Sequence, residues 1–108
     1  MSSSQMLKGI LEGCILSIIG KGETYGYEMV EKLNAYGFNM VKEGSIYPIL
    51  IRMKKENLLT TTKKKLPSGG PSRKYYKLTD SGEEELQKFK QRWKAMSASV
   101  DCLIEEEG

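Results

Sequence analysis

The chain has no histidine among its 108 residues. The side chain that most often acts as a general base near neutral pH, and most often ligates a metal, is therefore missing. The two cysteines, Cys14 and Cys102, lie far apart, each inside a helix-like pattern and neither with a neighbour at metal-ligand spacing. Reduced thiols acting as small apolar side chains are expected rather than a disulfide or a redox switch. Long hydrophobic runs are absent too. The longest uncharged apolar stretch, Gly13 to Gly20, is far too short to cross a bilayer, and Met1 to Gln5 carries no positive region ahead of a signal-type core. A cytoplasmic protein is expected. There is no glycine-rich phosphate loop, nucleophile elbow or distinctive carboxylate pair, so an enzyme is the least expected class, and neither metal nor cofactor is anticipated.

What the chain does have is segregated charge. Between Arg52 and Lys77 nine residues are Lys or Arg and only Glu56 is acidic, a local charge of +8, whereas the rest of the chain sums to −5. A solvated surface would also carry charge, but an even mixture serves solubility as well. Gathering the cations in one place is the footprint of a polyanion-binding surface, because clustered Lys and Arg release the counterions condensed on phosphates. With 39% hydrophobic and 29% charged residues the composition is that of a globular domain, and the length allows one domain with a modest core.

The apolar pattern divides the chain into four helices and a hairpin. Residues 5–19 read as one helix that is apolar around most of its circumference, including Ile10, Leu11 and Cys14; its surplus face asks for a second partner. Thr24 is a candidate N-cap for a helix reaching about Tyr36, with Gly37 as its stop. A short extended piece, Phe38 to Val41, follows. Ser45 is a candidate cap for a third helix of about twelve residues, with Pro48 in its first turn, where a missing N–H does no harm. Its inward stripe is Ile46, Ile49, Leu50 and Met53; Tyr47, Ile51, Arg52, Lys54 and Lys55 face outward.

Two strand-like runs, Leu59 to Lys65 and Arg73 to Leu78, flank the turn-rich stretch Leu66-Pro67-Ser68-Gly69-Gly70-Pro71-Ser72. The resulting long hairpin has Lys63, Lys64 and Lys65 on one arm and Arg73, Lys74 and Lys77 on the other. Thr79 then caps a last helix on which Leu86, Phe89, Trp93, Met96, Val100 and Leu103 recur at heptad spacing. A helix that long, following a completed unit, has no local core left to cover, so a second copy of the chain is the economical partner. The predicted fold is mainly α with a small β-hairpin: a winged helix-turn-helix over residues 5–78 and a C-terminal dimerisation helix over 79–108.

Three segments in order, Tyr25-Gly26-Tyr27-Glu28, Glu43-Gly44-Ser45-Ile46-Tyr47-Pro48-Ile49-Leu50 and Gly69-Gly70-Pro71-Ser72-Arg73-Lys74-Tyr75-Tyr76-Lys77-Leu78-Thr79, resemble the signature of the PadR family of bacterial transcriptional regulators. The short C-terminal segment is similar to that family's short subfamily. The resemblance implies a winged helix-turn-helix homodimer on a pseudo-palindromic operator in double-stranded DNA, usually as a repressor. It also implies dimerisation through the last helix packed with the first, here Ile10, Leu11, Cys14, Leu86, Phe89, Trp93, Met96, Val100 and Leu103. Members that sense flat aromatic effectors hold them between tryptophans near the dimer axis, and Trp93 matches that position. Trp93 and Met96 are therefore either a ligand platform or plain interface core.

On this layout the third helix enters the major groove, with Ser45, Tyr47 and Pro48 near bases and backbone and Arg52 nearer a phosphate. The wing lies along the backbone or reaches the minor groove, with Lys63, Lys64, Lys65, Arg73 and Lys74 positioning it, Gly69 and Gly70 allowing close approach, and Tyr25 contacting phosphate. Tyr75, Tyr76 and Leu78 are expected beneath the hairpin. The competing readings are a small-molecule-binding protein whose main site surrounds Trp93, and a protein-interaction adaptor that uses the winged fold without DNA.

Overall fold

The computed structural model describes residues 3–106, so the first two residues and the last two of the expected C-terminal segment lie outside it. Its elements are α1 (Ser3–Lys8), α2 (Leu11–Gly20), β1 (Thr24–Tyr25), α3 (Gly26–Ala35), α4 (Glu43–Lys55), β2 (Leu59–Lys64), β3 (Arg73–Leu78) and α5 (Asp80–Glu105). The strands form one antiparallel sheet in the order β1-β3-β2. The fold is a winged helix-turn-helix carrying a long terminal helix, as the apolar pattern predicts.

Four local expectations are corrected. The helix expected over 5–19 is two helices, because the chain tightens at Gly9, where Ile10 N–H donates to the Leu7 carbonyl at 2.9 Å, before α2 begins. Thr24 is not a cap. It is fully buried in β1 opposite Tyr76, and its hydroxyl donates to Glu28 Oε1 at 2.6 Å; sheet pairing outcompetes capping, and extended Tyr25 precedes the helix instead. The piece Phe38 to Val41 has no strand partner and forms a turn, closed by Val41 N–H donating to the Phe38 carbonyl at 3.2 Å. Helix α4 starts at Glu43 after extended Lys42, which leaves Ser45 in the third helical position and Pro48 past the first turn. Proline there removes the N–H that would have served the Gly44 carbonyl, a group left at the exposed surface.

Both helices of the helix-turn-helix end in Schellman motifs. On α3, Phe38 and Gly37 N–H groups return to the Leu33 and Asn34 carbonyls at 3.0 and 2.9 Å. On α4, Leu58 and Asn57 do the same to Met53 and Lys54 at 2.9 and 3.0 Å, with Asn57 in the left-handed conformation at φ 63°. The Asn57 carbonyl then accepts from the Thr79 hydroxyl at 2.7 Å, which in turn accepts from Gly82 N–H at 3.0 Å. One threonine thus joins the end of α4 to the start of α5, and its predicted capping role is realised.

The core is built from Ile15, Leu16, Ile18 and Ile19 of α2, Met29 and Leu33 of α3, Ile46, Leu50 and Met53 of α4, and Leu59, Tyr76 and Leu78 from the sheet. Helix α2 is buried on most sides because the other elements surround it. Leu11 and Leu86, both assigned to the dimer stripe from the sequence, are taken up by this core at 7% and 6% exposure. They pack within the chain, since nearly the first three turns of α5, as far as Phe89, lie on α2 rather than projecting from it. Beyond Phe89 the same helix is bare: Trp93, Met96, Val100, Leu103 and Ile104 are all exposed.

Candidate nucleic-acid interface

The two arms of the hairpin pair over their full length, Leu59 with Leu78 at the base and Lys64 with Arg73 at the outer end. Alternation along β3 sends Tyr76 and Leu78 into the core, as expected for residues beneath a wing. Tyr75 points to the opposite face, where its ring meets Tyr25 edge-on at 5.2 Å, Lys64 Nζ lies 5.4 Å from its centroid, and Arg73 lies over Tyr25 at 6.0 Å. The expectation that Tyr75 lies under the hairpin is corrected by this alternation. The register also sets Lys63 opposite Lys74 and Lys64 opposite Arg73. Like charges directly across a ladder are destabilising, so the outer wing carries four cations whose repulsion the sheet does not relieve by pairing. Lys64 alone has an anionic neighbour, Glu23, in the turn before β1.

At the tip, Gly69 and Gly70 both have positive φ, 89° and 90°, with open space around them. A side chain at either would be strained although nothing stands in its way. Lys65 falls just beyond β2 at the start of this loop, and all the basic wing residues named from the sequence are exposed.

Between the start of α3, the outer side of α4 and β3 lies a cleft of about 470 Å³, lined among others by Tyr27, Glu43, Tyr47, Ile51, Arg73 and Lys74. Tyr47 does not stand straight out from α4. Its phenol end lies against the backbone of Gly26, where a Cβ would fall only 2.8 Å from Cζ and closer still to the hydroxyl. Glycine at this position makes room for the ring. Burial, and then the adjacent Glu43 carboxylate, push the Tyr47 phenol above its ordinary pKa, with Arg73 pulling weakly the other way. Arg52, on the other flank of α4, donates to Glu12 Oε2 of α2 at 2.8 Å and to Glu56 Oε1 at 3.3 Å. Ser45 and Pro48 are exposed near the start of α4. Tyr25 is half-buried, committed to Tyr75 and Arg73.

The structure thus brings Tyr25, Tyr47, Arg73 and Lys74 to one cleft and leaves Lys63, Lys64 and Lys65 along the adjoining wing. Trp93 and Met96 lie elsewhere. Trp93 lines a separate, mostly apolar groove of about 280 Å³ with Ile10, Cys14, Tyr36 and Phe89, between α2, α3 and α5. Sequence reasoning missed strand β1, the seat that Gly26 provides and the Arg52–Glu12 bridge. Only the glycine between two tyrosines was a readable signal for any of them. Among the described residues, no group of His, Cys, Asp or Glu could hold a metal ion, and no helix is long and apolar enough to cross a membrane.

A profile of the "Transcriptional regulator PadR-like family" matches residues 15–88, from α2 through the wing into α5. The chain belongs to the PadR-like family. It is a transcriptional regulator and not an enzyme. A solved PadR-like transcriptional regulator from Bacillus cereus is 55% identical, covers 95% of this chain and 99% of its own, and superposes with a TM-score of 0.88. A Streptococcus transcriptional regulator is 40% identical, with 94% and 98% covered and a TM-score of 0.84. Bacillus subtilis PadR, solved in complex with operator DNA, is 30% identical over 74% of this PadR-like chain and 46% of that one, with a TM-score of 0.65.

Proposed function

We propose that this PadR-like regulator is a homodimeric repressor that binds an inverted-repeat operator in double-stranded DNA, with one α4 and one wing on each half-site. The observation that carries the reading is the wing register: Lys63 opposite Lys74 and Lys64 opposite Arg73 is a costly arrangement in isolation, and a phosphate backbone lying along the wing would turn it into a gain. The operator complex of Bacillus subtilis PadR supports the same reading by similarity. Pro48 then faces the major groove with Ser45 and Tyr47 on the flanks of α4 close to bases and backbone, Lys63, Lys64, Lys65, Arg73 and Lys74 hold the backbone, and Gly69 and Gly70 let the tip approach it. Tyr25 supports Arg73 as well as approaching phosphate. Arg52 would meet phosphate only by sharing or leaving its partners Glu12 and Glu56.

The second copy is inferred from α5. Its stripe of Trp93, Met96, Val100 and Leu103 is apolar, continuous and exposed, and half-buried Ile10, Cys14 and Phe89 continue it onto α2. Retardation of duplex DNA carrying the sequence that flanks the reading frame, titrated against salt, tests the reading. Binding that falls steeply with salt and selects an inverted repeat is expected; salt-independent binding, or none, would sink it.

A second reading adds a planar aromatic effector at Trp93 that releases the DNA. The groove of about 280 Å³ beside Trp93 and Phe89 favours it. Quenching of the single tryptophan by such compounds, with loss of DNA retardation at the same concentrations, is the expected outcome; quenching without any effect on DNA would leave only a binding site.

A further inference from the structure

Helix α4 presents three distinct surfaces. At about 100° per residue, Ile46, Ile49, Leu50 and Met53 set the inward direction, and Tyr47 and Arg52 fall roughly 70° to either side of the outward one. Those two side chains are used on their flanks, Tyr47 against Gly26 at the start of α3 and Arg52 against Glu12 of α2. They hold the helix from both sides. The crest between them, within roughly 30° of straight out, consists of Gly44, Pro48, Ile51 and Lys55. All four are exposed, Ile51 at 58%.

A scattered exposed isoleucine needs no explanation. Ile51 is different because it stands in the middle of a helix crest, one turn from Pro48, on the rim of the cleft that also holds Arg73 and Lys74. Among the described residues its neighbours leave more than half of it open, and the cations around it favour a polyanion over an apolar protein surface. Apart from the one lysine at its far end, a crest made of glycine, proline and isoleucine cannot read bases by hydrogen bonds from side chains. It can read them by contact. The apolar feature of the major groove is the 5-methyl group of thymine, which no other DNA base carries.

We infer that Ile51 is a specificity-determining residue that packs against thymine methyl groups in the major groove. The inference deepens the proposed operator binding and rests on it. Tyr47 and Arg52 fix where the helix lies, while Ile51 rejects bases that offer no methyl.

The test uses a duplex that the full chain selects from a random-sequence pool, remade with each thymine in turn replaced by deoxyuridine, which lacks only that methyl. One or two replacements should weaken binding by the wild type about fourfold, the value of one methyl withdrawn from water. Ile51→Ala should lose about fivefold to tenfold on the selected duplex, little on random DNA, and should no longer respond to those same replacements. A wild type indifferent to every replacement, or an Ile51→Ala variant that keeps the same sensitivity, would overturn the role of Ile51 while leaving operator binding in place. Failure to select any duplex would overturn operator binding and this inference together.

Discussion

The Phe89 ring of α5 lies directly on the backbone of Gly13 in α2, filling the space that a Cβ there would occupy. The contact fixes where α5 leaves the domain, and with it where the bare stripe from Trp93 onward is carried. Alanine at position 13 would gain about 1 kcal/mol of helix propensity but collide with the ring, and overpacking of this kind costs about 1–3 kcal/mol. The clash should win. Gly13→Ala is expected to unfold at lower denaturant concentration, and Gly13→Ala with Phe89→Leu should recover part of the loss; a more stable single variant would mean that the ring moves aside freely.

Wing cations should act without regard to sequence. Lys64→Ala is expected to weaken binding to operator and random duplexes by the same factor, and to reduce the slope of log K against log salt by about one. A changed preference between the two duplexes would instead make Lys64 a reader of bases.

Tyr47 should behave in the opposite way, since its phenol is held against Gly26 beside Glu43. Tyr47→Ala removes the flank support of α4 and is expected to lower the ratio of operator to random affinity by about tenfold, within the range for one specific contact. Gly26→Ala, which evicts the ring without deleting it, should do the same. An unaltered ratio in both variants would place the readout elsewhere.

Met96→Glu puts a charge in the middle of the exposed α5 stripe, at a side chain with 61% exposure. The fold of one chain should survive, because nothing in its own core depends on Met96. Sedimentation is expected to show half the wild-type mass with unchanged helical signal, and DNA affinity should fall because two half-sites are no longer held by one particle. A variant that remains a dimer would move the interface off this stripe.

Burial pushes the half-buried Cys14 thiol above its ordinary value of 9.0. The unfolded chain therefore loses this proton first, so the associated stability is intact below pH 9 and lost as the pH rises through the folded value. At pH 8 a thiol-alkylating reagent should modify exposed Cys102 well before Cys14, as read by peptide mass. Equal rates would show that the Cys14 site opens readily.

Much of this was legible in the residues because it depends on short-range patterns. The inward stripe of α4, the Thr79 cap, the Gly69-Gly70 tip and the pairing of the two wing arms each follow from periodicity or turn chemistry within a few positions. Some failures were local, such as the break at Gly9 and the start of α4 at Glu43, but others were long-range. Thr24 has the chemistry of a cap and becomes a strand because Tyr76, distant in sequence, offers a ladder. Leu11 and Leu86 continue an apolar stripe and are absorbed by a core whose extent no local window reveals. The Glu12 partner of Arg52, forty residues earlier on another helix, was likewise beyond the reach of any local pattern.

The order of residues alone determined the class of helix and hairpin, the concentration of positive charge and the surplus of apolar surface, since each is set by side-chain identity and local spacing. Tertiary packing decided which of those side chains remain available. It turned Tyr47 and Arg52 sideways as supports and left Ile51 outermost, because only the neighbours of a helix, and not its own sequence, determine which of its outward faces are already occupied.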